Sequence, residues 1–126
     1  MTAAVRTGVT PESFLATEAR ASEKHVLWDG EVYAMAGATP THHAIVANVL
    51  AELRAMTRQG PCRAFASDLK VFVPRRNGFV YPDATVVCGE VAFYGETQDV
   101  VVNPTLVVEV LSEGTDAFDR GEKAMG

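Results

Sequence analysis

Cysteine is scarce in this chain of 126 residues, with Cys62 and Cys88 its only two. Neither lies in a CxxC pair or at a spacing to histidine that would build a zinc site. They read as buried, reduced thiols with no function assigned to them. Long apolar runs are also missing: nothing approaches the roughly 18 residues of a membrane-spanning helix. The stretch from Met1 to Pro11 lacks the apolar core of a secretory signal. A soluble, cytoplasmic protein with no membrane partner is expected. Positive charge is in deficit too, since 11 Lys and Arg against 16 Asp and Glu give a formal net charge of −5. That argues against holding nucleic acid by a broad basic surface, because phosphates need clustered cations. It leaves room for a nuclease, whose metal site is itself built from carboxylates. Arg54, Arg58, Arg63, Lys70, Arg75 and Arg76 either gather locally or stand as ordinary solvated charges.

What is present suffices for a core. An apolar content of 48% fits one compact domain over residues 1–126, and two domains are not expected at this length. No internal repeat or low-complexity linker interrupts it. Thr10-Pro11 suits a helix start, so a short amphipathic helix should run from about Pro11 to Ala21. Asp29-Gly30 stands between His25-Val26-Leu27-Trp28 and Glu31-Val32-Tyr33-Ala34-Met35, which predicts a hairpin with a two-residue turn. Thr39 can cap and Pro40 can open a helix from about Thr41 to Arg58, with Ile45, Val46, Val49, Leu50, Leu53 and Met56 as its apolar face. Three strands should follow, over Arg63–Val73, Phe79–Cys88 and Pro104–Leu111. The valine-rich last two read as strands buried on both faces, which implies an α/β (α+β) fold with helices flanking a mixed sheet. From Ser112 to Lys123 a turn and a helix capped near Thr115 are expected.

Two carboxylates break the apolar pattern. Glu109 sits inside Val107-Val108-Glu109-Val110-Leu111, where an ionised group costs several kcal/mol unless a cation or strong donors compensate. Asp83 sits in Tyr81-Pro82-Asp83-Ala84-Thr85-Val86-Val87, where Pro82 removes a ladder donor and marks a strand start or bulge. On neighbouring strands both could point toward one spot. Their hard oxygens suit Mg²⁺ or Mn²⁺. The alternative is that each is salt-bridged to a nearby Lys or Arg.

Pro82-Asp83 followed by Glu109 on a valine-rich strand resembles the core of the PD-(D/E)XK restriction-endonuclease-like superfamily. A more specific likeness, to the Uma-two family of endonucleases, rests on Phe14-Leu15-Ala16, the run from Asp29 to Gly37, Pro40-Thr41-His42 and Ser67-Asp68-Leu69-Lys70-Val71. Tyr81-Pro82-Asp83, Val108-Glu109-Val110-Leu111-Ser112, Thr115 and Asp119-Arg120-Gly121-Glu122-Lys123 extend it over nearly the whole chain. The resemblance implies a restriction-endonuclease-like mixed sheet and a metal-dependent site that hydrolyses DNA phosphodiester bonds. Asp83 and Glu109 would hold the metal, with the carbonyl of Val110 as a further ligand. The ion would polarise the scissile phosphate and lower the pKa of an attacking water.

The superfamily's lysine, two residues after the strand carboxylate, is replaced here by Leu111. Lys123 is the family-like substitute, or it pairs with Asp119 on a helix surface. His42 lies near the apolar face of its helix, where it either orients a ligand or is satisfied by the core. Asp68 and Lys70 share a strand face in this reading and either extend the site or pair with each other. Glu31 is an auxiliary carboxylate or an exposed hairpin charge. The family's domain continues past this chain's last residues, so the C-terminal part reads as truncated, with an open strand edge that a homodimer could cover. The leading expectation is a Mg²⁺- or Mn²⁺-dependent endonuclease with DNA as substrate. The alternatives are a catalytically inactive homodimeric module that keeps the fold, and an enzyme acting on a smaller phosphoester.

Overall fold

The computed structural model describes residues 3–111. Among them the elements follow in the order α1 (Pro11–Glu18), β1 (His25–Trp28), β2 (Glu31–Ala34), α2 (Pro40–Thr57), β3 (Cys62–Ala66) and β4 (Lys70–Val73). A 3₁₀ turn at Pro74–Arg76 leads to β5 (Gly78–Val80), β6 (Ala84–Cys88), β7 (Val100–Val101) and β8 (Leu106–Val108). The chain divides into two compact units, residues 3–37 with 72–80 and residues 38–71 with 81–111. The helix expected after Ser112, and Lys123 with it, lie outside the described residues.

In the first unit, Thr10 caps α1 by accepting from Ser13 N at 3.1 Å, and Pro11 opens the helix, as the missing N–H and fixed φ of proline favour. The helix stops at Glu18 rather than near Ala21. Its last side chain is buried and turned onto the next strand, where its carboxylate accepts from His25 N at 2.8 Å and meets His25 Nδ1 at 2.9 Å. Strands β1 and β2 pair antiparallel from His25↔Ala34 to Trp28↔Glu31. Asp29 and Gly30 take φ of 54° and 80°, the left-handed pair that a type I′ turn requires. On the other edge of β1, Leu27 pairs with Phe79 of β5. A Cβ on Gly78 would collide with the Leu27 carbonyl, so only glycine permits that approach. Phe14, Leu27, Val32 and Phe79 are fully buried, with the Phe14 and Phe79 rings stacked 5.7 Å apart. Burial of each such side chain stabilises the fold by about 1.5–3 kcal/mol.

In the second unit, Thr39 caps α2 by accepting from His42 N at 3.1 Å, with Pro40 in the first turn. The helix packs against β3 and β6. Strand β6 is central, antiparallel to β3 on one edge and to β8 on the other. The opening residues of β4 run parallel to β7, with Lys70 opposite Val100 and Val71 opposite Val101.

Several expectations are corrected here. The strand predicted over Arg63–Val73 is two strands in different sheets, parted by a turn at Ser67-Asp68. Asp68 takes φ 80° there, a conformation that Asp tolerates better than most residues. Asp68 and Lys70 therefore do not share a strand face. The strand predicted over Phe79–Cys88 is likewise broken between Val80 and Ala84, around Pro82, which cannot donate to a ladder. The loop before Pro104 contains β7, which is only two residues long, too short to carry a periodic signal. Strand β8 is shorter than predicted and not buried on both faces: Leu106 is 48% and Val107 45% exposed. On α2, Val46, Val49, Leu50 and Leu53 are half-buried, whereas Ile45 is exposed and Met56 is 77% exposed.

The cysteines are neither buried nor reduced. Cys62 and Cys88 stand opposite each other in the β3–β6 ladder and form a disulfide, with Cα atoms 3.8 Å apart and Cys88 exposed. The bond from Gly89 N to Pro61 O beside them marks a non-hydrogen-bonded pair, where antiparallel strands approach most closely. Their separation of 26 residues hid this pairing, because adjacency across a ladder is not visible in spacing.

Candidate functional site

Pro82 ends one ladder, and Asp83 follows it immediately at the entrance to β6. Its backbone N–H donates to Val108 O at 3.0 Å. Its carboxylate Oδ2 accepts from Val110 N at 2.7 Å, the short distance of a charge-assisted bond. Asp83 is thus tied to both residues that flank Glu109. The β6–β8 register runs Val86↔Leu106, Thr85↔Val107 and Ala84↔Val108 and ends there, at the pair next in sequence to Asp83 and Glu109. Glu109 is half-buried just past the end of β8. The apolar strands position both carboxylates, and the break at Pro82 frees Asp83 to turn its side chain onto a main-chain donor.

The first turn of α2 brings a third residue to this place. His42 Nε2 lies 3.3 Å from Asp83 Oδ1, and the His42 side chain is 11% exposed. That distance is at the long end for a hydrogen bond. His42 Nδ1 is buried with no hydrogen-bond partner among the described residues. Among the described residues no group of three or more His, Cys, Asp and Glu side chains is gathered closely enough to hold a metal ion. The pair His42 and Asp83 offers one nitrogen and one carboxylate oxygen.

The other predicted residues lie elsewhere. Lys70 is buried, donates from Nζ to Asp99 Oδ2 at 2.8 Å, and sits over the Tyr81 ring at 5.4 Å. Asp99 also receives Lys70 N on its backbone carbonyl at 3.0 Å. Sequence reasoning missed this partner, because Asp99 reads as a loop residue and nothing in its spacing ties it to Lys70. Asp68 is exposed in its turn. Glu31 belongs to the first unit, where its Oε1 accepts from Tyr33 OH at 2.6 Å. The N–H of Val110 as the anchor of Asp83 was also missed, since the resemblance drew attention to its carbonyl.

The frame that carries these residues is a known one. A family model described as "Uma2: Putative restriction endonuclease" matches residues 11–125. The chain belongs to the Uma2 family. Two uncharacterised proteins of Synechocystis are among its relatives. Protein slr1290 is 35% identical over 115 residues, covering 91% of this chain and 60% of its own. Protein sll1609 is 30% identical over 115 residues, covering 91% and 65%. The Uma2 chain described here thus spans under two thirds of the length of these relatives. The fold is shared with the crystal structure of a protein from Anabaena variabilis described as a putative nuclease belonging to DUF820. The TM-score is 0.67 at 18% identity, covering 93% of this chain and 63% of that one. A mixed α/β fold of the restriction-endonuclease-like kind and membership of a nuclease-like family follow. Among the described residues no helix is long and apolar enough to cross a membrane.

Proposed function

We propose that this Uma2 chain is a metal-dependent endonuclease that hydrolyses DNA phosphodiester bonds, with Asp83 and Glu109 holding Mg²⁺ or Mn²⁺. The observation that supports this reading is the Asp83 carboxylate, fixed at 2.7 Å by the N–H of Val110, the residue that follows Glu109 in the chain. A surface carboxylate with only a structural role would be expected to seek a Lys or Arg. Asp83 instead meets a main-chain N–H and a histidine, and one oxygen edge stays turned toward the imidazole. Hard oxygen donors of this kind suit a small divalent cation that keeps several waters.

Such an ion, when bound, supplies positive charge for the scissile phosphate and acidity for the attacking water. The chain's own part is positional. Val110 N–H keeps Asp83 Oδ2 from rotating, which leaves Oδ1 at a set place, and Glu109 precedes that same Val110 in the chain. Lys123 takes the water-positioning role in the family pattern, and Leu111 stands where the superfamily sets a lysine. A homodimer belongs to the same reading.

Plasmid cleavage tests it. Purified protein with Mg²⁺ or Mn²⁺ should nick or linearise supercoiled DNA, and chelation should stop the reaction. Asp83→Asn and Glu109→Gln should each lower the rate by about 100-fold or more, in keeping with the several kcal/mol that a Lewis acid contributes. Cleavage that persists unchanged in Asp83→Asn would sink the proposal. One observation favours a second reading, a non-catalytic homodimeric module: the superfamily's lysine position is occupied by the exposed, apolar Leu111. No heat of Mn²⁺ or Mg²⁺ binding in calorimetry, together with a dimer in sedimentation, would select that module.

A further inference from the structure

The Cys62–Cys88 disulfide is a feature that the proposed nuclease chemistry leaves unused. It joins the first residue of β3 to the last of β6. On one side of it the ladder continues through four pairs, from Arg63↔Val87 to Ala66↔Ala84. On the other lies the bond from Gly89 N to Pro61 O at the strand ends. Cys62 is half-buried, whereas Cys88 is exposed, as are Pro61, Gly89 and Glu90 around it. Among the described residues a Cβ built on Gly60 or Gly89 would meet nothing within 4 Å, so a small reductant has room to approach. A crosslink that serves a core is expected inside it, out of reach of thiols, and exposed ones are the labile class. We propose that Cys62–Cys88 is a reversible redox crosslink, which a dithiol opens and an oxidised dithiol closes while the second unit stays folded.

The exchange takes two steps. A thiolate of the reductant attacks Cys88 Sγ, the S–S bond breaks, and Cys62 leaves as a thiolate that takes up a proton. The reductant's second thiolate then attacks the reductant sulfur of the mixed disulfide and releases Cys88. The two cysteines gain two electrons and two protons, and the dithiol becomes a cyclic disulfide. The ladder outlasts this because other contacts hold it. Ala84, Val86 and Val87 are buried, β6 lies between β3 and β8, and α2 packs against both β3 and β6. Opening lowers stability and frees the strand end. There Cys88 N–H donates to Thr105 Oγ1 at 3.0 Å, and Thr105 N–H donates to Val86 O at 2.8 Å. The loosened end therefore reaches the residue that leads into β8. None of this depends on a metal role for Asp83.

Reduction of the full chain under native conditions tests this. Folded protein is treated with dithiothreitol, free thiols are blocked with iodoacetamide, and the blocked cysteines are counted by mass spectrometry. Both cysteines should react without denaturant, at a rate within about 10-fold of that in urea. Oxidised dithiothreitol, added before any blocking, should restore the intramolecular disulfide. Hydrogen exchange of the reduced chain should quicken about 10-fold or more at Cys88 and Gly89, and by less than about 3-fold at Phe65 and Thr85 inside the ladder. The double variant Cys62→Ser with Cys88→Ser should show the pattern of the reduced chain whether or not the dithiol is present. A disulfide that yields only in urea, or a reduced chain that loses protection at Phe65 and Thr85, overturns the inference and makes the crosslink structural. Two thiols that the oxidised dithiol does not join overturn it as well.

Discussion

Strands β6 and β8 are neighbours in one sheet and are composed alike, yet they meet very different surroundings. Ala84 to Val87 of β6 are buried, with Val87 fully so. Across the ladder, Leu106 and Val107 of β8 are nearly half exposed. The difference is one of cover. Strand β6 has a partner on each edge and α2 packed against it. Among the described residues β8 has only β6. A valine run thus reports the extended conformation that its branched side chains favour, and it says little about burial. The same contrast explains where the polar chemistry sits. Asp83 opens the covered strand and Glu109 follows the uncovered one, so the two carboxylates stand where the ladder leaves a well-packed edge.

The largest effect that could break this comparison concerns the far end of β6. Reducing the Cys62–Cys88 disulfide, or replacing both cysteines by serine, should lower unfolding stability by about 3 kcal/mol, the scale expected for a loop of this length. Thermal melts with and without a dithiol would measure it. No shift would mean that the crosslink adds nothing to the stability of the β3–β6 pairing. A smaller loss, about 2 kcal/mol, is expected for Val87→Ala, which removes buried methyl groups and leaves a cavity. Urea unfolding should show it clearly. Thr39→Ala removes the cap that fixes the first turn of α2 and should cost about 1 kcal/mol. Urea unfolding would measure this loss too.

The sharpest comparison needs the least effect. Val107→Ala on β8 should change stability by less than about 0.5 kcal/mol, as exposed substitutions usually do. A cost equal to that of Val87→Ala would show that β8 is covered in solution, for instance by a second copy. Sedimentation of the same variant would then report a loss of self-association.

Local signals were legible wherever the physics is local. Thr10 and Thr39 cap the helices that their sequence positions indicated, each with a proline in the first turn. Asp29-Gly30 turns the hairpin, and Pro82 interrupts its strand as a residue without an N–H must. Family membership was legible as well, because it rests on many short motifs spread along the chain. The misses share a cause. The turn at Asp68 was hidden inside a run that reads as one strand. The two residues of β7 are too few to display a period. Lys70 reads from its spacing as a site residue or a partner of Asp68, and spacing gives no sign of Asp99, the carboxylate it meets, which lies 29 residues away.

The site divides along the same line. By itself the sequence singled out Asp83 and Glu109 as carboxylates set among valines, where burial of the charge would carry a desolvation cost. It also determined that His42 stands near the apolar side of a helix. Only the tertiary structure decided that Val110 N–H holds Asp83, that His42 faces it at 3.3 Å, and that Cys62 meets Cys88. Those three facts depend on which residues of separate segments become neighbours. Pairing register and helix docking set that, and neither is encoded in local spacing.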